Sequence, residues 1–334
     1  MKKIAFLAVF LISFFFSEAQ SDSLKPKDKS KFFADIHTAF YHDLAGNTTP
    51  NTAFSLSTAL FGYTRSFSDK VSATIIYDVT RTTNFTYPDT LGISSYFEGS
   101  KYTAFLKMAE IKWNIHKNIE LSFGQLLNEQ YLTYQDKHWK RRYIVTTFQE
   151  YYRFGMPADF GARIRFFPFK SLRISLNAFN GEGPFSYQDS ESGFLYAANI
   201  EYMPTDNIMI KAYADIQEPP SGFREYRSAI SGFLGYWNEK YTVGLEYNKV
   251  FNNSYELLTD LEGLSFYGVY KFNKKLAAVT RFDFLTEYHG VENEAFVLGG
   301  VEYRPVESLG LSVNYRRNTW LNTSQVFVNA GIRF

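Results

Sequence analysis

The sequence contains no cysteine, so neither disulfides nor thiolate metal sites can hold the fold. Beyond the first twenty residues it has no continuous apolar run of the ~18 residues that a membrane-spanning helix requires. It has almost no net charge, formally +1, so composition gives no signal for nucleic acid. Its five histidines, His37, His42, His116, His138 and His289, form no zinc-spaced cluster. There is no Gly-x-Ser-x-Gly elbow and no phosphate-binding Walker loop. No cofactor is implied.

Aromatic residues, by contrast, are abundant: 25 Tyr and 34 Phe in 334 residues. The opening segment also stands apart. Lys2 and Lys3 precede the apolar run Ile4 to Phe16, and Ser17 and Ala19 place small residues before a cleavage position. Residues 1–19 read as a secretory signal peptide and 20–31 as a polar lead-in.

From Phe32 the period is two. Leu172, Ile174, Leu176 and Ala178 share one face of a strand, with Arg173, Ser175, Asn177 and Phe179 on the other. Tyr241, Val243, Leu245 and Tyr247 repeat the pattern against Thr242, Gly244, Glu246 and Asn248. Pro168, Pro204 and Pro305 punctuate strand ends. Sixteen strands are predicted, beginning near Phe32, Ala53, Val71, Tyr102, Ile119, Ala158, Leu172, Ser192, Ile208, Tyr226, Tyr241, Leu258, Leu276, Ala295, Leu309 and Ser324. Connections after even strands are short, and those after odd strands are expected to be longer throughout. An even strand count with alternating loop lengths predicts an all-β fold: a transmembrane antiparallel barrel over residues 32–334, with short periplasmic turns and longer outer loops. A soluble β-sandwich would not explain the loop asymmetry. In lipid every backbone donor and acceptor must pair, so such a sheet has to close on itself, polar face inward.

The chain ends on SQVFVNAGIRF, where Val326, Val328, Ala330, Ile332 and Phe334 alternate. The last strand must pair with the first, and Phe334 is expected to serve as a signal to the barrel assembly machinery. The sixteen strands, the segment Leu121–Gln130 with its Phe123-Gly124-Gln125 element, a very long third outer loop and the terminal Phe together resemble the phosphate-selective porin O and P family. The resemblance implies passive, often anion-selective diffusion across an outer membrane. A homotrimer is expected by analogy with sixteen-stranded porins.

The third loop, Leu127 to Pro157, should fold inward and narrow the channel. It carries Lys137, Lys140, Arg141, Arg142 and Arg153 against Glu129, Asp136 and Glu150. Guanidinium groups suit phosphate and carboxylate because their donors form a planar fork. Arg163, Arg165 and Arg173 share the polar faces of the next two strands and extend the positive path. The expected constriction is therefore Lys140, Arg141, Arg142, Arg163, Arg165 and Arg173, selecting small anionic or polar solutes. Asp78, Glu110, Glu120, Asp215, Glu246, Asp283 and Glu302 also face the lumen, so only a weak anion preference is expected. Tyr131, Tyr134, Trp139, Tyr143, Tyr151 and Tyr152 could bind sugar or pack the loop against the wall. The competing classes are an outer-membrane enzyme of lipase or protease type and a structural or adhesive barrel.

Overall fold

The computed structural model describes residues 29–81, 85–88, 94–97, 102–130, 138–184, 188, 193–288 and 291–334. The signal-peptide segment, most of the lead-in, and the loop residues Tyr131, Tyr134, Asp136 and Lys137 lie outside them.

The strands are β1 (Lys29–Asp43), β2 (Thr52–Ser66), β3 (Val71–Arg81), β4 (Phe85–Pro88), β5 (Ser94–Phe97), β6 (Tyr102–His116), β7 (Ile119–Leu127), β8 (Ala158–Phe169) and β9 (Leu172–Phe179). They continue with β10 (Leu195–Thr205), β11 (Ile208–Gln217), β12 (Arg227–Trp237), β13 (Tyr241–Phe251), β14 (Leu261–Lys271), β15 (Leu276–Tyr288), β16 (Val291–Val306), β17 (Leu309–Asn318) and β18 (Thr323–Arg333). Sixteen form one closed antiparallel barrel. β4 and β5 form a separate hairpin inside the second long loop.

The barrel is inside out relative to a soluble protein. Leu176, on the apolar face of β9, is 49% exposed, whereas Ser175 on the opposite face is fully buried. Exposed aliphatics such as Ile200, Leu234, Leu245, Val301 and Val313 form an outer band. Exposed rings rim it at both ends: Tyr202, Tyr236, Tyr241, Tyr270 and Tyr303 near the short turns, Tyr102, Tyr196, Tyr226 and Tyr315 near the long loops. This is the band and girdle pattern of a sheet facing acyl chains.

Closure is made between β1 and β18, with Asp35 opposite Arg333. The Ala34 N–H donates to the Phe334 carbonyl at 2.7 Å, and the Phe334 N–H returns the bond to Ala34 at 3.1 Å. The Arg333 Nε donates to Asp35 Oδ2 at 3.0 Å. The seam pairs β1 from Ala34 to Asp43 with the last strand, and the terminal residue is part of it.

Two sequence expectations need correction. β1 begins at Lys29, because Lys29, Ser30 and Lys31 pair with Ser66, Arg65 and Thr64. Nor is every connection after an odd barrel strand long. β15 and β16 keep pairing out to Tyr288 opposite Val291, leaving only residues 289–290 between them. Residues 319–322 join β17 to β18. The alternation simply runs on through those segments.

Candidate constriction site

The third loop, residues 128–157, leaves the wall early because β7 is only nine residues long. Gly124 sets up this departure. Its φ of +116° is glycine's territory, and a Cβ there would lie 2.0 Å from the Ala109 carbonyl oxygen. Next to it, Gln125 donates to the Leu106 carbonyl at 2.6 Å.

The loop root is held by charge. Glu129 is buried with Arg165 Nε at 2.8 Å, Arg163 Nε at 3.6 Å and Arg173 at 3.9 Å. Burial disfavours the carboxylate, but Arg163, Arg165 and Arg173 overcome it and hold the Glu129 pKa at about 2. The three arginines have further partners. Arg165 reaches Glu120 at 2.5 Å, Arg173 pairs with Glu201, and Arg163 donates to Asn177 at 2.5 Å and to the Leu127 carbonyl.

The loop body lies on β11–β16. Trp139, Ile144, Val145, Phe148 and Phe154 are buried with Met209, Phe233, Leu261, Leu285, Phe296 and Leu298. Five large apolar side chains removed from water contribute on the order of 10 kcal/mol to seating the loop. A short helix, α1 (Phe148–Tyr151), lies in this packed stretch. Wall cations then bond the loop's main chain. Arg316 donates to the Ile144 carbonyl at 2.6 Å, Arg281 to Thr146 at 2.5 Å, Arg227 to Phe154 at 2.8 Å and Lys211 to Gln130 at 2.5 Å.

The loop tip crosses the lumen to the short-turn end. Arg141 donates to Glu302 Oε2 at 2.6 Å through Nη2 and 3.1 Å through Nε, and the Tyr143 hydroxyl donates to Oε1 at 2.8 Å. The Tyr143 side chain rests over two glycines; a Cβ on Gly331 would lie 2.6 Å from its ring and one on Gly310 2.7 Å. His138 meets the Tyr267 hydroxyl at 2.5 Å. Burial, assisted by Lys140 and Arg141, pushes its pKa down to about 4. Lys140 is exposed, with a φ of +55°.

A polar cavity of about 170 Å³ remains between the loop and the β1–β3–β6 wall. On the loop side the Arg142 guanidinium pairs with Glu150 at 2.5 Å. On the wall Lys107 pairs with Asp78 at 2.6 Å. His37, Ser57, Thr58 and Thr146 add polar groups, and Phe105, Pro157, Ala158 and Pro184 line the remainder.

Of the cations expected at a constriction, Arg142 lines this cavity and Lys140 stands at the short-turn mouth. Arg141 is bonded to Glu302, and Arg163, Arg165 and Arg173 converge on Glu129, as their shared strand phase allows. Trp139 and Tyr143 are buried against the wall, so these two aromatic residues pack the loop. Sequence reasoning missed Lys107. It lies where the β3–β6 register slips between Ile76 and Tyr77, so simple alternation cannot place it.

A closed sixteen-stranded barrel with an apolar outer band and an infolded third loop has the architecture of outer-membrane porins. The chain is similar in fold to Salmonella typhi OmpF in complex with daunomycin, with a TM-score of 0.65, 10% identity, and coverage of 92% of this chain and 98% of that one. It is similar to Pseudomonas putida OprB in its low-pH structure, with a TM-score of 0.57, 10% identity, and coverage of 91% and 92%. A mutant of Rh. blastica porin gives a TM-score of 0.57 at 12% identity, covering 91% and 100%. No family model and no curated protein matches the sequence. At these identities the likeness is one of fold.

Proposed function

We propose that this chain is an outer-membrane channel for passive diffusion of small hydrophilic solutes, with a weak preference for phosphate-like or other small anions. The observation that carries the reading is the seat of the third loop. It packs on β11–β16 and leaves a polar cavity against β1, β2, β3 and β6. A loop fixed in this way narrows a lumen without requiring energy to open it.

The charge at the cavity is balanced: Arg142 with Glu150, Lys107 with Asp78. The bias toward anions then comes from the lysines at the short-turn mouth, Lys140 among them. Arg141, Arg163, Arg165 and Arg173 serve mainly to seat the loop, since each has a buried carboxylate partner. In this reading residues 1–19 direct export, the short turns and both termini face the periplasm, and Phe334 addresses the assembly machinery. A homotrimer fits as well; one fold neighbour is the trimer form of OmpT, an outer membrane protein of Vibrio cholerae.

The test is a reversal potential in planar bilayers under a tenfold salt gradient. A small potential of the sign set by chloride is expected. Absence of any conductance from folded protein would end the channel reading, and a strongly cation-selective potential would end the anion preference.

A further inference from the structure

A second cavity, of about 390 Å³, lies at the short-turn end of the lumen. It is larger than the one at the constriction, and its lining has a different character. Lys271, Lys274, Lys275 and Arg304 come from the wall and the 272–275 turn, and Lys140 and Arg141 come from the loop tip. Glu302 is the carboxylate among the lining residues. It is already engaged by Arg141, Arg304 and the Tyr143 hydroxyl. His138, also in the lining, is held neutral at physiological pH by its burial. Lys140, Lys271, Lys274 and Lys275 make no ion pair among the described residues.

Four uncompensated lysines around one bay repel each other, and an anion entering it relieves that repulsion. The arrangement depends on the loop crossing the whole lumen. Arg304 donates to the Lys140 carbonyl at 3.2 Å, which fixes the loop tip beside the turn. The left-handed backbone at Lys140 is uncommon for a residue with a side chain and is held there by those neighbours.

Apart from Thr242 and Asn273, the rest of the bay is apolar. Met203, Met209, Trp237, Leu276 and Ala277 line it. The Trp237 ring stacks edge-on with His138 at 5.2 Å between centroids. A bare inorganic anion would use the lysines and leave this surface idle. An anion with a flat apolar body would use both, the ring against Trp237 and the methionines, the charge toward the lysines. Met209, Thr242, Ala277 and Glu302 face the lumen, so the ligand arrives in water rather than from the bilayer.

We infer that the bay formed by Lys140, Lys271, Lys274, Lys275 and Trp237 is a binding site for a small soluble organic anion carrying an aromatic or similarly apolar body.

The experiment is calorimetric titration of the full, folded chain in neutral detergent with phenyl phosphate. It requires no conductance, so it stands or falls separately from the channel reading. Phenyl phosphate should bind at least threefold more tightly than inorganic phosphate, and benzylamine should not bind. Lys140→Gln with Lys275→Gln removes two unit charges at roughly 6 Å from the anion and should weaken binding about tenfold. Both side chains are exposed, so folding, checked by heat-modifiable mobility, should be unaffected. Trp237→Ala should bring phenyl phosphate down to the affinity of inorganic phosphate and leave the latter unchanged. Lys117→Gln, at another short turn, is the control. Equal binding of phenyl phosphate and benzylamine would overturn the inference. So would an equal effect of Lys117→Gln and the double variant, or displacement of phenyl phosphate by phosphatidylglycerol in the micelle.

Discussion

If the cavity between the third loop and the β1–β3–β6 wall is the selective passage, its two loop charges must act with opposite sign. Arg142 and Glu150 form a pair whose side chains are 16% and 26% exposed, so each is within reach of a passing ion. Arg142→Gln removes a positive charge and should favour cations, whereas Glu150→Gln removes a negative charge and should favour anions. At roughly 5 Å in water-like surroundings, one unit charge acts on a monovalent ion with about 0.8 kcal/mol. A Debye length of about 10 Å at 0.1 M salt leaves about 0.5 kcal/mol of this, and one of about 3 Å at 1 M leaves about 0.15 kcal/mol. The counter-ion gains what the co-ion loses. The anion-to-cation permeability ratio should therefore move about fivefold at 0.1 M and less than about twofold at 1 M. Reversal potentials at both salt concentrations measure it directly. Arg317→Gln, near the long-loop end of β17, is the control and should move the ratio little. Shifts of the same sign in the two variants, or a control as strong as either, would refute the assignment.

Three further outcomes are expected. Deleting Phe334, or replacing it with Asp, should lower the amount of heat-modifiable barrel in the membrane while conductance per inserted channel stays the same; normal insertion would remove the seam argument. Tags at Asn252 should be reachable on intact cells and a tag at Asp206 should not, and labelling at Asp206 would reverse the topology. His138 has an ordinary pKa of 6.5 and is held at about 4 in the loop, so the unfolded chain binds a proton that the folded one refuses. Its contribution is intact above pH 6.5 and lost as pH falls from 6.5 to 4, up to about 3 kcal/mol. The wild-type Tm should fall across that window and the His138→Gln Tm should fall less; parallel curves would show that His138 is not the group responsible.

The barrel was largely legible in the sequence. The predicted starts at Val71, Tyr102, Ile119, Ala158, Leu172, Ile208, Tyr241, Leu276 and Leu309 coincide with the observed ones. This works because each strand has one face in apolar surroundings, so the period-two pattern is set locally. The site was less legible, because its pairings are set by distance in space. Arg141 and Glu302 are 161 positions apart, and nothing near either announces the other. Strand phase put Arg163, Arg165 and Arg173 in the lumen, but only the path of the loop shows Glu129 arriving between them. Lys107 was hidden by a bulge. Gly310 and Gly331 look like ordinary strand glycines until the Tyr143 ring is found lying over them.

The wall cations Lys211, Arg227, Arg281 and Arg316 grip the third loop by the carbonyl oxygens of Gln130, Phe154, Thr146 and Ile144. A peptide oxygen is the same whatever side chain its residue bears. The grip therefore places no demand on side-chain identity at those four positions, and none on Arg142 or Glu150 beside them. The charges that line the cavity can then be exchanged without unfastening the loop, so a lineage of such barrels could change the lining of its lumen while keeping one scaffold.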